Sequence, residues 1–333
     1  MASPVRLGVI GAGQFAQGVL LPEFAKYKPL RFMGFCTSSG LKSKHVAERY
    51  RANFCTSDPD EIIHHPDINT VLITTRHNQH APLTIEALKA GKGVFVEKPL
   101  ALSSESLTEI CTGIQTFSGV RLMVGYNRRF SPLAVKCKEF FSGCTEPLFI
   151  LYRVNAGSFP PEMWVFDPIE GGGRIIGEVC HFVDLLCYLT GSHPSRIFAE
   201  EVDSSPHPAH NRDSVMVHLR MSNGSVGVIH YMANGASCVS KEYMEVYGGQ
   251  RTAILDNYKS LSLCHGNKRR TQRLFNQAKG HAEEVVAFIK AVETGGGMPI
   301  DFETLVAVTQ TTFLIHRSLD KGEPVDYVSP FPR

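Results

Sequence analysis

Leu7-Gly8-Val9-Ile10-Gly11-Ala12-Gly13-Gln14-Phe15-Ala16 is the stretch that decides the fold. The apolar run from Val5 to Ile10 reads as a fully buried strand, and a helical pattern starts at Gln14. Between them Gly11 and Gly13, with Ala16 in third place, match the spacing G-x-G-x-x-[G/A] of a dinucleotide-binding turn. Each residue type has a physical task. Gly11 permits the tight turn, and Gly13 lets backbone approach a pyrophosphate. Ala16 is small enough for the helix to pack closely on the strand. Gln14 and Phe15 open that helix, whose N-terminal N–H groups and partial positive charge suit phosphate.

Outward from this turn, strands and helices alternate. Apolar strands are expected at 6–10, 31–36, 70–74, 93–96 and 121–124, with helices at 14–26, 42–50, 81–90 and 103–117. Alternating units of this length imply a doubly wound parallel Rossmann sheet. After residue 125 the pattern changes. A helix near 131–141 leads to a strand at 148–155, a Gly/Pro-rich loop at 158–173 and a strongly apolar helix at 177–189. Strands without intervening helices follow at 196–202, 214–221, 225–233, 242–248 and 252–256, with a hairpin signal at Asn223-Gly224. The fold class is therefore α/β, with a C-terminal α+β domain built on an open, mostly antiparallel sheet. The domains are expected at 1–125 and 126–333, with helices at 282–293 and 302–319 closing the chain. The last helix is placed to pack back on the first domain.

Composition excludes several classes. The 333 residues are 43% hydrophobic and 20% charged, as in soluble globular proteins, and too many for one ordinary core. A net charge of +2 argues against nucleic acid or an anionic membrane as partner. The short basic run Lys268-Arg269-Arg270 reads as a solvated loop. No apolar run is long enough to span a bilayer, and the chain enters a strand too early for a signal peptide. Nine scattered cysteines without a C-x-x-C pair suggest reduced thiols and a cytoplasmic protein. Cys180 and His181 are adjacent, point about 100° apart on a helix and make a poor metal pair, so no metal is expected.

The end of the second strand should meet the adenosine ribose. It reads Cys36-Thr37-Ser38-Ser39-Gly40-Leu41-Lys42, with no carboxylate before Glu48. The hydroxyls of Thr37 and Ser38 and the charge of Lys42 suit a 2′-phosphate, favouring NADP(H) over NAD(H). Two further strand ends carry polar groups where open α/β sheets bind ligands: Thr74-Thr75-Arg76-His77-Asn78-Gln79-His80 and Glu97-Lys98-Pro99.

Taken with the glycine turn, these motifs resemble the Gfo/Idh/MocA oxidoreductase family over nearly the whole chain. The resemblance implies that Lys98 contacts the nicotinamide ribose and the reacting hydroxyl. It also implies that Thr75, His77, His80 and Glu97 line the cofactor. Arg76 and His77 replace the family's usual proline and asparagine. Tyr126-Asn127-Arg128-Arg129-Phe130 resembles the segment that turns toward the nicotinamide, which makes Asn127 and Arg128 cofactor candidates. In the second domain, Gly171-Gly172-Gly173, His181 and Asp184 match the family pattern, while Gly177 stands where many members have a catalytic aspartate.

Helical spacing independently puts Glu178, His181 and Asp184 on one stripe of an otherwise apolar helix. A cleft histidine acting as acid/base fits that stripe, and so does a satisfied core histidine bonded to Asp184 or a carbonyl. Lys98 and His181 are the catalytic candidates, with Glu178 or Asp184 orienting the imidazole. Arg153, Trp164, Arg174, Glu178 and His181 are candidates for the substrate wall. The function expected is hydride transfer between nicotinamide and a secondary alcohol or ketone of a sugar, polyol or derivative. Alternatives are a glycosidase that oxidises transiently with bound NAD and a non-catalytic nucleotide sensor or assembly subunit. A homodimer or homotetramer is expected through the C-terminal sheet.

Overall fold

The computed structural model describes residues 4–116, 119–202 and 214–331. Its chain divides into two compact units, one of residues 1–126 with 281–306, the other of 127–280 with 307–333.

The first unit holds β1 (Arg6–Ile10), β2 (Arg31–Cys36), β3 (Phe54–Thr56), β4 (Thr70–Ile73), β5 (Gly93–Val96) and β6 (Leu122–Val124). All pair in parallel, in the order β3-β2-β1-β4-β5-β6. The order reverses between β1 and β4, and such a switch point opens a crevice at the strand C-termini. β1, β4 and β5 are almost wholly buried, as strands covered on both faces must be. Phe95 from β5 meets Phe24 at 5.7 Å and Phe288 of the helix His281–Thr294 at 5.3 Å, both edge-on. Sequence periodicity misses β3 and the helix Pro59–Ile63 because both are too short to show a period.

The second unit adds β7 (Phe149–Asn155), β8 (Pro194–Glu201), β9 (Val215–Met221), β10 (Val226–Met232) and β11 (Glu242–Gly248). Four more strands complete it: β12 (Arg251–Asp256), β13 (Ser260–His265), β14 (Lys268–Arg273) and β15 (Val325–Asp326). The nine-stranded order is β14-β13-β12-β11-β7-β10-β9-β8-β15, antiparallel except for the β7–β10 pair. β9 buries Val215, Val217, Leu219 and Met221 and turns its alternate residues outward, the period-2 pattern of a sheet with one covered face. The helix Cys180–Thr190 covers that face. Gly227 on β10 makes this approach possible, because a Cβ there would lie 2.0 Å from Leu186 Cδ2. The hairpin falls at Asn223-Gly224, with Gly224 at φ +86°. Lys268-Arg269-Arg270 is not a loop: it forms edge strand β14, paired to β13 on one side only.

At Gly11 the close neighbour is backbone rather than a side chain. The glycine's φ is +88°, and a Cβ would sit 2.6 Å from the carbonyl carbon and oxygen of Thr74. Gly11→Ala should therefore cost about 2 kcal/mol or more. In thermal unfolding this appears as a Tm lowered by roughly 4–8 °C; an unchanged Tm would contradict the close approach.

Candidate functional site

The carboxyl edge of the parallel sheet is assembled around the Gly11 turn. Gly11 N–H donates to the Cys36 carbonyl (2.9 Å), and the Thr74 hydroxyl donates to the Gly11 carbonyl (2.7 Å). The ends of β1, β2 and β4 are thus tied to one another. Gly13, two residues on, is the opposite of Gly11: an added Cβ would meet nothing within 4 Å. This open approach to backbone is what a pyrophosphate needs. Ala16 is 1% exposed and packs inward, while Phe15 is exposed and touches His281 edge-on at 5.9 Å. The Gln17 side chain donates to the Ala12 carbonyl (2.7 Å) and firms the turn. The helix runs on from Gln14, with the Gln17 N–H donating to the Gly13 carbonyl (3.0 Å).

At the end of β2 the Thr37 hydroxyl is engaged locally, donating to the Ser39 carbonyl (2.9 Å) and lying 2.8 Å from Ser43 Oγ. Ser38 and Lys42 are exposed. Burial, and then the charges of Asp58 and Glu61, push the Cys36 thiol up to about 11. These two carboxylates sit beyond the loop in which sequence reading looked for one. Asp58 accepts the Asp60 N–H at its own helix start (2.9 Å).

Beyond β4 and β5, His80 braces the two loops. It is 1% exposed, with Nδ1 2.8 Å from the Pro99 carbonyl and Nε2 3.2 Å from that of Thr75. Two carbonyls favour the imidazolium, but burial outweighs them and, with Lys98 nearby, lowers the pKa to about 4. The neutral ring donates through one nitrogen only, and the shorter Nδ1 contact is the natural donor. His77 lies 5.6 Å from it, ring to ring. Thr75 donates its hydroxyl to the Arg76 carbonyl (3.2 Å). Glu97 is buried against Gly125, where a Cβ would come within 2.5 Å of Oε1. Lys98 is half-buried and precedes Pro99 through a cis peptide. The structure thus brings Gly11, Gly13, Thr75, His77, His80, Glu97 and Lys98 to one edge of one sheet.

In the second unit several candidates are held by buried partners. Arg128 donates to both oxygens of Glu242 (Nε 2.9 Å, Nη2 3.1 Å), and Lys279 adds a third bond at 2.6 Å. Burial pushes the Glu242 carboxyl up, but Arg128 and Lys279 outweigh it and hold it at about 2. Tyr152 donates to the same carboxylate (2.7 Å), and Asn127 donates to the Lys279 carbonyl (2.9 Å). Arg129 clamps Asp184 through Nε (2.9 Å) and Nη2 (2.6 Å). Neither arginine of this segment was legible as an ion-pair member, because Glu242 and Asp184 lie 114 and 55 residues away.

Glu178 is the centre of another cluster. It accepts from Arg174 (3.3 Å), Lys241 (2.8 Å) and the Tyr231 hydroxyl. Arg174 also donates to the Gly157 carbonyl (2.7 Å) and stacks on Phe159 at 4.2 Å. His181 is 6% exposed on the neighbouring turn, and Trp164 is half-buried in a short 3-10 turn. Arg153 donates to the Ser240 carbonyl (2.7 Å). The helix expected from residue 177 begins as a π-helical turn, Ile175–Val179, before Cys180–Thr190.

A family model described as an oxidoreductase family with NAD-binding Rossmann fold matches residues 5–126, and the GFO/IDH/MocA C-terminal domain matches 149–254. The oxidoreductase YrbE of Bacillus subtilis is 24% identical over 98% of this chain and 97% of its own length. Myo-inositol 2-dehydrogenase of Thermotoga maritima is 27% identical over 87% of this chain and 89% of its own. Levoglucosan dehydrogenase, solved with NADH and levoglucosan, superposes with a TM-score of 0.86 at 22% identity, over 98% of this chain and 100% of that one. Among the described residues no helix is long and apolar enough to cross a membrane.

The His80 brace predicts a pH dependence. Its value of about 4 lies below the unfolded 6.5, so the neutral buried ring contributes fully above pH 6.5. That contribution, about 3 kcal/mol, is lost as pH falls toward 4. Chemical denaturation between pH 7 and 4 should show a steeper loss of stability for the wild type than for His80→Asn. Equal slopes would remove the buried neutral histidine as the cause.

Proposed function

Because the chain belongs to the Gfo/Idh/MocA oxidoreductase family, we propose that it transfers hydride between a nicotinamide cofactor and a secondary alcohol or ketone of a sugar, polyol or sugar derivative. The observation that carries this reading is Lys98, half-buried on the same sheet edge as the open Gly13 backbone. The names of the relatives, an inositol dehydrogenase and a levoglucosan dehydrogenase, support a carbohydrate-like substrate. The residues present fit the cofactor: a turn open at Gly13, and polar groups at the ends of β4 and β5.

When bound, the nicotinamide supplies the hydride acceptor or donor at C4. The Lys98 ammonium holds the reacting oxygen and stabilises negative charge developing on it. His181 takes the hydroxyl proton during oxidation and returns it during reduction. Glu178, fixed by Arg174, Lys241 and Tyr231, offers a rigid acceptor for substrate hydroxyls. Arg128 and Arg129 act by pinning the segment after Tyr126, through Glu242 and Asp184.

Exposed Ser38 and Lys42 support NADP(H) over NAD(H), with Thr37 shaping the loop. The two compact units take the roles of dinucleotide-binding part and substrate-binding part. The half-buried face of the nine-stranded sheet suits self-association as a dimer or tetramer, and the protein is assigned to the cytoplasm. Fluorescence titration should show tighter NADPH than NADH binding, with the difference removed in Lys42→Ala; tighter NADH binding would overturn the 2′-phosphate assignment. Gly13→Ala should fold normally yet weaken nucleotide binding at least tenfold, because its Cβ meets only the ligand. Lys98→Ala and His181→Ala should each lower kcat on polyols by roughly 10²–10⁴-fold, with Tm unchanged in Lys98→Ala. Near-normal turnover in either would sink that residue's role.

A further inference from the structure

The first unit has a second concavity, at the opposite end of its parallel sheet from Gly11, Thr75 and Lys98. It is a cleft of about 670 Å³ at the amino-terminal ends of β1 and β2, one strand length or roughly 15–20 Å from the cofactor edge. Five cations line it, Arg6, Lys28, Arg31, Arg49 and Arg51, against one carboxylate, Asp67.

Two of these placements are unfavourable for the fold alone. Arg6 and Arg31 are register partners on adjacent parallel strands, so two cationic residues occupy neighbouring positions on one face of the sheet. Arg51 ends the helix Gly40–Tyr50 in the left-handed conformation, φ 54°, where glycine is the least costly residue. Both placements direct guanidinium groups to the same cleft. Arg6 is fixed by donating to the Asp67 carbonyl, while Arg31, Arg49 and Arg51 are exposed. Burial, and then the charge of Arg6, hold the Lys92 ammonium below its ordinary range. The floor is aromatic: Tyr50 packs on Phe32 at 5.0 Å and carries the Arg49 guanidinium 5.6 Å from its ring centre. Tyr27 is held by Glu293 through a 2.5 Å hydrogen bond.

We propose that this cleft binds a small phosphate-bearing anion, its oxygens held by Arg31, Arg49 and Arg51 and its body against Tyr27 and Tyr50. Guanidinium forks match phosphate oxygens in pairs, and the bound charge relieves the Arg6–Arg31 repulsion. The site is separate from the dehydrogenase reading and does not rest on it.

Isothermal titration of the full chain in saturating NADH, with pyrophosphate and separately with adenosine 5′-monophosphate, tests the proposal. At least one should bind with one-to-one stoichiometry. Its affinity should fall tenfold or more in Arg49→Ala/Arg51→Gly, a variant that keeps the left-handed turn, and severalfold in Arg31→Gln. Pyrophosphate as the tighter ligand identifies an inorganic polyphosphate; the nucleotide as the tighter identifies an organic phosphate. No binding of either at millimolar concentration overturns the site, as does affinity that the double variant retains. NADH titration of the double variant, expected unchanged, separates this outcome from failure of the functional reading.

Discussion

The contact on which the first unit depends is between two pieces of backbone. Gly11 passes so close to the end of β4 that a single methyl group would overlap the Thr74 carbonyl. That closeness lets Thr74 bond the Gly11 carbonyl and draws the ends of β1 and β4 into one seam. The seam lies where strand order reverses, so everything aligned along it converges: the Gly13 approach, the His80 brace and Lys98. A steric requirement at one residue thus organises a polar edge contributed by three strands.

The second unit is organised differently, by charge taken out of water. Glu242 has no exposed surface and is kept ionised by Arg128 and Lys279, while buried Asp184 is paired with Arg129. Such pairs add little net stability when complete, but loss of one partner strands a buried charge at a cost of about 3–5 kcal/mol. They tie the segment Asn127–Phe130 to β11 and the helix Cys180–Thr190. Both arginines are stapled to carboxylates distant in sequence. Glu178, by contrast, keeps a partly exposed side chain within its cluster, which suits a group that meets a substrate.

Much of this was legible in sequence because the signals were local. The strand–turn–helix around Gly11, the strands ending before Thr75 and Glu97, and the hairpin at Asn223-Gly224 each need only neighbours to be read. What escaped was non-local or short. Partners of Arg128 and Arg129 are distant in sequence, β3 is three residues long, and β14 has the charge of a loop but the pairing of a strand. The stripe Glu178, His181, Asp184 was drawn at ideal helical spacing. The structure interposes a π-helical turn and sends Glu178 to Lys241 and Tyr231, and Asp184 to Arg129.

β14 carries a consequence of its own. A sheet of nine strands that stays open leaves a ladder of unpaired amides and carbonyls at its margin, a template on which another chain could continue the sheet. Lys268, Arg269, Arg270 and Arg273 line that margin with like charge. A second copy offering the same strand would bring cation against cation, so sheet-to-sheet growth is discouraged. The basic run thus works as a guard against fibrous self-addition at this rim.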